Sequence, residues 1–344
     1  MRVLLVGLLE AFTARDHAIA WLLSQNPQVT ELLILTGNAA TARLPKTRHI
    51  PSKDGGRWEL TAIVETACSE RVDFVVIGAE VPLATGLVDL LDQVGIPAFG
   101  PSQIASRLEA SKSFAIELMQ GALIPHPRSW IFLEQRAALE FALKYPSPIV
   151  VKLDGLAAGK GVWVCRTKAK AVAAIRACMK NRPGETLVLQ EMRQGVEVSV
   201  FCFTDGEHIS EPIAACDYKP RFKRDKGPNT GSMGSFSPPT FWTDKLDKTI
   251  RATILQPIVD AMRSRGILYR GVIYAGLMLT ANGVEVLEFN CRFGDAEAQV
   301  ILPLLKTDLL KIMLACLEGK LHDIPVEWDR QLVAGTVVLV DENY

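Results

Sequence analysis

Short apolar runs alternate with amphipathic stretches along the first hundred residues. RVLLVG (2–7), ELLILTG (31–37) and VDFVVIG (72–78) are nearly continuous in apolar side chains and end on glycine. Runs without in–out alternation predict strands buried on both faces. Between the first two, ARDHAIAWLLSQ carries Ile19, Leu22 and Leu23 at helical spacing. VPLATGLVDLLDQVG predicts one helix that Gly95 stops, before the short strand IPAFG. Strand and helix in alternation predict an α/β domain with a parallel sheet over residues 1–103. The stretch from Arg43 to Arg57 holds Pro45, Pro51, Gly55 and Gly56, and predicts an irregular surface connection.

From about Ile104 the rhythm changes. One helix through LEASKSFAIELMQG leads to a turn at Pro125 and Pro127. WIFLE and PIVVKLDG are predicted strands on either side of the helix EQRAALEFALKY. TKAKAVAAIRACMKN puts Val172, Ile175 and Met179 on one helical face, Pro183 and Gly184 end it, and TLVLQEM follows as a strand. This small α+β unit, about 124–192, would pack on a second one built from VEVSVFCF, a helix around 244–265, GVIYAGLML and VEVLEFN. Pro257 is expected to kink or divide that helix. The expected class is an α/β N-terminal domain followed by an α+β region of two subdomains over 104–318. VAGTVVLVDENY begins one more strand, read as the start of a truncated C-terminal domain over 319–344.

Charge narrows the choice of partners. Lys plus Arg and Asp plus Glu both number 38, so the net charge is zero and a general nucleic-acid surface is not expected. A strongly charged ligand must therefore be met by a local cluster. The seven cysteines form no Cys-x-x-Cys pair and the five histidines are scattered, which argues against a disulfide framework or a zinc site. Reduced thiols in a cytoplasmic protein are the expectation. MRVLLVGLLEAF is interrupted by Glu10 and reads as a first strand rather than a signal peptide. No segment approaches the ~20 apolar residues of a membrane span, so no membrane partner is expected.

Four segments carry candidate chemistry. In PIVVKLDGLAAGKGVWV (148–164) an apolar strand delivers Lys152 to a loop with Gly155, Gly159, Lys160 and Gly161. Glycines let main-chain N–H groups approach phosphate oxygens, and lysines supply the opposing charge. The spacing is not that of a P-loop, and the plain alternative is a hairpin with solvated lysines. A lysine on so apolar a strand nevertheless calls for an anionic partner. In VEVLEFNCRFGDAE (284–297), alternation puts Glu288 and Asn290 on one face and Leu287 and Phe289 on the other. Two oxygen ligands so placed suit Mg²⁺, and Arg292 adds a planar fork for phosphate or carboxylate.

In LQEMRQGVEVSVF (189–201), Glu191 ends a strand at a junction able to grip adenine, and Glu197 is within reach of ribose hydroxyls; either is also an ordinary surface charge. DYKPRFKRDKGPNTGSMGSFSPP (217–239) contains a glycine-rich polar loop with Asn229 and Thr230, suited to holding a ligand through main-chain N–H groups. Lys112 in EASKSFA is a further cation.

Assembled, these residues resemble the ATP-grasp superfamily, and closely the phosphoribosylamine–glycine ligases (glycinamide ribonucleotide synthetases) of purine biosynthesis. The resemblance runs through RDHAIAW, GAEVPL, FGPS, LEASKSFA, PIVVKLDGLAAGKGV, GPNTGSMGSFSPP, YAGLM and EFNCRFGDAE, in that order. It implies a ligase fold in which ATP lies between a small lid, about 124–192, and the larger unit behind it. Lys112 and Lys152 would contact the phosphates and the loop 154–161, with Gly155, Gly159, Lys160 and Gly161, would close over them. Glu191 would hold the base, Glu197 the ribose, and Glu288 and Asn290 the Mg²⁺ (or Mn²⁺). Asp217, Lys219, Asn229, Arg292 and His17 would face the substrates, with Lys152 and Arg292 closest to the chemistry.

The implied reaction forms glycyl phosphate from glycine and ATP, and the amine of phosphoribosylamine then displaces phosphate. Two departures from the family pattern stand out. The glycine run expected after the first strand is replaced by GLLEAFTARDH, and the chain stops where the family carries another unit. A ligase for a different amine, and a non-catalytic nucleotide-binding paralogue or fragment, are the alternative readings.

Overall fold

The computed structural model describes residues 1–52, 57–146, 148–156, 161–223 and 226–341, except for the side chains of Pro228 and Asn229. Strands β1 (Arg2–Val6), β2 (Glu31–Leu35), β3 (Thr47–Ile50), β4 (Phe74–Ile77) and β5 (Ala98–Phe99) form a parallel sheet in the order β3-β2-β1-β4-β5. Its continuous apolar runs serve two cores. Leu4, Val6, Leu33, Leu35, Val75 and Ile77 enter one, while Val3, Leu5, Leu32, Ile34, Phe74 and Val76 enter the other. After Arg2 and Glu31 every position of β1, β2 and β4 is buried, so no polar alternation survives in the sequence.

Two expectations for this domain are corrected. The stretch read as irregular contains β3, whose Thr-Arg-His-Ile sequence has no apolar run; it is an edge strand held by its ladder to β2. The Thr47 hydroxyl also donates to the carbonyls of Thr41 and Leu44. The single helix expected across 81–95 is two, Glu80–Ala84 and Leu87–Gln93, broken at Gly86 with φ +93°. That backbone conformation favours glycine and ends a helical path. Likewise LEASKSFAIELMQG divides into Arg107–Ala110 and Lys112–Gly121, because Ser111 leaves the helical region and caps the second helix by accepting from the Phe114 N–H.

The unit expected to act as a lid is an antiparallel sheet in the order β6-β9-β7-β8, from β6 (Ser129–Phe132), β7 (Ile149–Leu153), β8 (Val162–Cys165) and β9 (Leu187–Glu191). Helices Gln135–Lys144 and Lys168–Asn181 cover one face, where Ala138, Ile149, Val151, Ile175 and Leu189 pack together. Ile149, Val151 and Leu153 point into that core, so alternation turns Lys152 to the opposite face.

The third sheet has the order β16-β15-β10-β11-β14-β17, antiparallel throughout. Its strands are β10 (Val196–Thr204), β11 (Ile213–Asp217), β14 (Gly234–Ser237), β15 (Gly271–Thr280), β16 (Gly283–Asn290) and β17 (Ala334–Val337), and β12 (Pro220–Phe222) with β13 (Lys226–Asn229) makes a separate ribbon. β17 pairs with β14 and forms the far edge of the sheet. The helix around Pro257 runs from Asp244 to Ser264 with a π turn at Arg251–Leu255 inside it. The wider turn ends two residues before Pro257, which cannot donate a main-chain N–H, and the helix continues through it.

Candidate active site

β16 does not keep strict alternation. Gly276 of β15 pairs with Glu288 and Leu277 with Val286, so Leu287 is left out of the ladder as a bulge. Val286 and Phe289 therefore both reach the core, while Leu287 and Glu288 both line the cleft. This corrects the expectation that Leu287 shares a face with Phe289. Glu288 and Asn290 remain on one face, opposite Gly276 and Tyr274. A Cβ on Gly276 would lie 3.3 Å from Glu288 Cγ, so glycine there leaves room for the carboxylate. The bulge frees the Leu287 carbonyl, which accepts from Lys152 Nζ at 2.9 Å. Lid and third sheet are thereby joined at the expected phosphate lysine.

A cavity beside this contact is lined by Glu197, Ser199, Asp217, Lys219, Tyr274, Gly276, Leu287 and Glu288. Burial drives the Lys152 pKa down to about 8, against the pull of Glu288, with Lys112 and Lys219 reinforcing the fall. Burial opposes the Glu288 carboxylate too, yet Lys219, Lys152, Lys112 and Arg292 hold its pKa below the ordinary value. Lys219 is the converse case: burial disfavours its charge, but Glu288, Glu197, Asp217 and Glu297 raise its pKa. Asp217 is pushed up to about 7 by burial and by Glu297, although the Ser232 hydroxyl donates to it at 2.5 Å. The neutral chain thus gathers a dense local charge cluster.

Three residues of this region were not singled out from sequence. Glu297 is buried, and its Oε1 accepts from the Ser199 hydroxyl at 2.9 Å and the Tyr274 hydroxyl at 2.8 Å. Ser199 and Tyr274 each interrupt an apolar strand, VEVSVFCF and GVIYAGLML, and a hydroxyl at such a position requires a buried partner. That was the available signal.

Lys112 Nζ donates to the carbonyl of Gly155 at 2.8 Å, and Ser113 donates to Asp154 through its hydroxyl at 2.5 Å and its N–H at 3.2 Å. The start of the glycine loop is thus tied to the N-terminus of the helix Lys112–Gly121. At the loop's other end the Gly161 carbonyl accepts from Leu153 N–H at 2.8 Å. Gly159 and Lys160 lie outside the described residues, as does the side chain of Asn229, whose backbone belongs to β13.

Other expected residues are not in the cavity wall. The Glu191 carboxylate accepts from Tyr145 and from Arg193, each at 2.7 Å, and Arg193 continues to Glu285 of β16. Arg292 faces the N-terminal domain, with Nε 3.2 Å from Glu80, an η nitrogen 3.1 Å from Glu109, and another donating to the Phe293 carbonyl. His17 lies in the helix Ala14–Gln25, two residues from the buried Arg15, which reaches both Glu80 and the Phe293 carbonyl. In the altered loop, Leu9 is buried in the core and its carbonyl accepts from Trp58 N–H.

The donor set on β16 fits a hard divalent cation. Glu288 offers a carboxylate kept ionised by its cationic neighbours, and Asn290, buried on the same face of β16, offers an amide oxygen. Oxygen donors of this kind suit Mg²⁺.

Comparison with known proteins agrees with this architecture. Residues 1–109 match the family model for the phosphoribosylglycinamide synthetase N domain, and residues 110–298 match that for its ATP-grasp domain. A phosphoribosylamine–glycine ligase of Caldanaerobacter subterraneus is 41% identical over 96% of this chain and 78% of its own length. The bovine trifunctional purine biosynthetic protein adenosine-3 is 43% identical over all of this chain, which spans only 34% of that protein. A crystal structure of phosphoribosylamine–glycine ligase from Thermotoga maritima superposes with TM-score 0.81 at 28% identity, covering 100% of this chain and 81% of that one. With a parallel-sheet N domain leading into a lid and a third sheet that meet at Lys152 and Leu287, the chain belongs to the phosphoribosylglycinamide synthetase family.

Proposed function

We propose that this protein joins glycine to 5-phosphoribosylamine in an ATP-dependent reaction of de novo purine biosynthesis, yielding glycinamide ribonucleotide, ADP and phosphate. The observation that carries the reading is the meeting of Lys152 from the lid with the Leu287–Glu288 bulge of the third sheet, beside Lys112 and Lys219. A triphosphate tail needs such cations from both sides. Lys112 and Lys152 would bind phosphate oxygens, the glycine loop 154–161 would cover them, and Glu288 and Asn290 would hold Mg²⁺ or Mn²⁺. The bound ion supplies charge neutralisation on phosphate oxygens. Glu191 would hold the base and Glu197 the ribose.

A carboxylate oxygen of glycine attacks the γ-phosphorus as the β–γ bridge breaks and ADP departs. The amine nitrogen then attacks the carbonyl carbon of glycyl phosphate, phosphate leaves, and the amine gives up a proton. Such chemistry requires alignment and charge neutralisation rather than a protein nucleophile. Asp217 and Lys219 would orient glycine, and Asn229, Arg292 and His17 would serve the substrate side. The unpaired thiols, all buried except that of Cys68, fit a cytoplasmic enzyme.

The test is ADP release with ATP, Mg²⁺ and glycine, with and without freshly generated phosphoribosylamine. Amine-dependent release that Glu288→Gln abolishes is the expected result; no amine dependence would refute the reading. A ligase for a different amine is favoured by one feature, the loss of glycines from the loop after β1, where Leu8 and Leu9 now stand. An amine screen in which phosphoribosylamine outcompetes all others removes that second reading.

A further inference from the structure

Two histidines far apart in sequence meet on the surface away from the cleft. His208 lies in the turn between β10 and β11, and His322 in the short helical turn Leu321–Asp323. Their ring centroids are 4.8 Å apart, and both side chains are about half exposed. Behind them Asp205 is buried and tightly oriented: one carboxylate oxygen accepts from the N–H groups of Glu207 and His208, the other from Leu321 N–H. A donor atom from each of Asp205, His208 and His322 lies within 4.8 Å of the other two.

We propose that Asp205, His208 and His322 form a binding site for a divalent transition ion of the Zn²⁺ class, separate from the Glu288–Asn290 pair. The ligand chemistry decides the ion. Two imidazoles and one carboxylate select Zn²⁺ and its neighbours over Mg²⁺, which takes oxygen donors. The spacing supports the same choice. Asp205 Oδ2 and His208 Nδ1 are 3.3 Å apart, a hydrogen bond longer than the ~2.7–2.9 Å of a charge-assisted one. A tetrahedron with metal–ligand bonds of ~2.0–2.1 Å has edges of about 3.3–3.4 Å.

Rotation of the exposed His322 ring would shorten the other two edges, which are at most 4.8 Å, and water would complete the shell, as in zinc sites with three protein ligands. Asp323, 3.2 Å from His322 Nε2, supplies a second carboxylate of the kind that orients metal-bound imidazoles. Two of the five scattered histidines are thus brought to one place by the turn between β10 and β11 and the segment after the helix Leu309–Glu318. A metal there would clamp the two together.

The experiment titrates untagged full chain, stripped with EDTA, with Zn²⁺ alone by calorimetry, and with Co²⁺ alone by absorbance. One equivalent should bind beyond any taken by the Glu288–Asn290 pair, with a Co²⁺ spectrum free of thiolate charge-transfer absorption. His208→Ala and His322→Ala should each weaken binding about tenfold or more, and the double variant should lose it. Zn²⁺ should raise the melting temperature of wild type and not of the double variant. In EDTA all four proteins should melt alike, because the altered side chains are half exposed; the milder His322→Gln serves if an alanine variant is unstable. Failure of wild type to bind Zn²⁺, undiminished binding in the double variant, or a thiolate band would overturn the proposal.

Discussion

The ammonium of Lys152, on lid strand β7, donates to the main-chain carbonyl of Leu287 on β16 at 2.9 Å, so a buried cation spans the cleft with a carbonyl as its hydrogen-bond partner. It is held at a cost to the fold. The folded pKa is about 8 against an ordinary 10.5, burial being the main cause. Between those values the unfolded chain binds a proton that the folded chain has released, so Lys152 makes stability rise with pH through that window. Below it the full penalty applies, on the order of 3 kcal/mol.

Lys152→Met is therefore expected to raise the unfolding free energy at pH 7 while weakening ATP binding more than glycine binding. Calorimetric unfolding and ligand titration measure the two effects. Equal losses for both ligands, or a lower melting temperature, would contradict the role assigned to Lys152.

Asp217 titrates from the other side. Its pKa is raised from 3.8 to about 7 by burial and Glu297, so the folded chain holds a proton that the unfolded chain loses as pH rises between those values. Asp217 thus favours the folded state at the acidic end of that window, and the gain is lost as pH climbs through it. If the carboxylate receives the glycine ammonium, KM for glycine should climb as pH falls below about 7. Asp217→Asn should give a high KM that no longer responds to pH there. Persistence of the acid-side inflection in the variant would assign it to another group.

Arg292 is clasped by Glu80 and Glu109 at 3.2 and 3.1 Å and also donates to the Phe293 carbonyl. Lysine cannot reproduce that fork. Arg292→Lys should destabilise the protein by roughly 2–4 kcal/mol, since a buried carboxylate loses its partner. Urea unfolding should also broaden as the N-terminal domain uncouples from the sheet behind it. A loss within ~0.5 kcal/mol would mean that the arginine serves ligands and not the domain junction.

Gly294 packs against Glu297, and a Cβ there would collide with the Glu297 carboxylate, itself anchored by Ser199 and Tyr274. Gly294→Ala should cost roughly 1–3 kcal/mol and lower turnover by displacing a carboxylate next to Asp217. Normal kinetics with unchanged stability would show that Glu297 moves aside freely.

The site was legible where its residues interrupt a pattern. Lys152 stands out on an apolar strand because a buried charge demands a partner, and Glu288 with Asn290 stand out by their spacing at a strand's end. The bulge at Leu287 was not legible. A register shift arises from how β15 and β16 pair, and the side chains at 286–289 read equally well as an unbroken strand. Glu191 reads as a holder of the base and Arg292 as a fork for phosphate or carboxylate. Their protein partners, Tyr145 for the first and Glu80 and Glu109 for the second, come from segments distant in sequence and were not legible.

Strand β3 escaped notice for a related reason: an edge strand with few apolar residues is stabilised by ladder hydrogen bonds rather than by burial. From the amino-acid order alone came the layers, the continuous strands of the parallel sheet and the charged residues that needed partners, because burial leaves its periodicity in the chain. Which charges face one another, which carbonyl the bulge exposes and which histidines meet were decided only in three dimensions. Those contacts join segments whose separation carries no local signal.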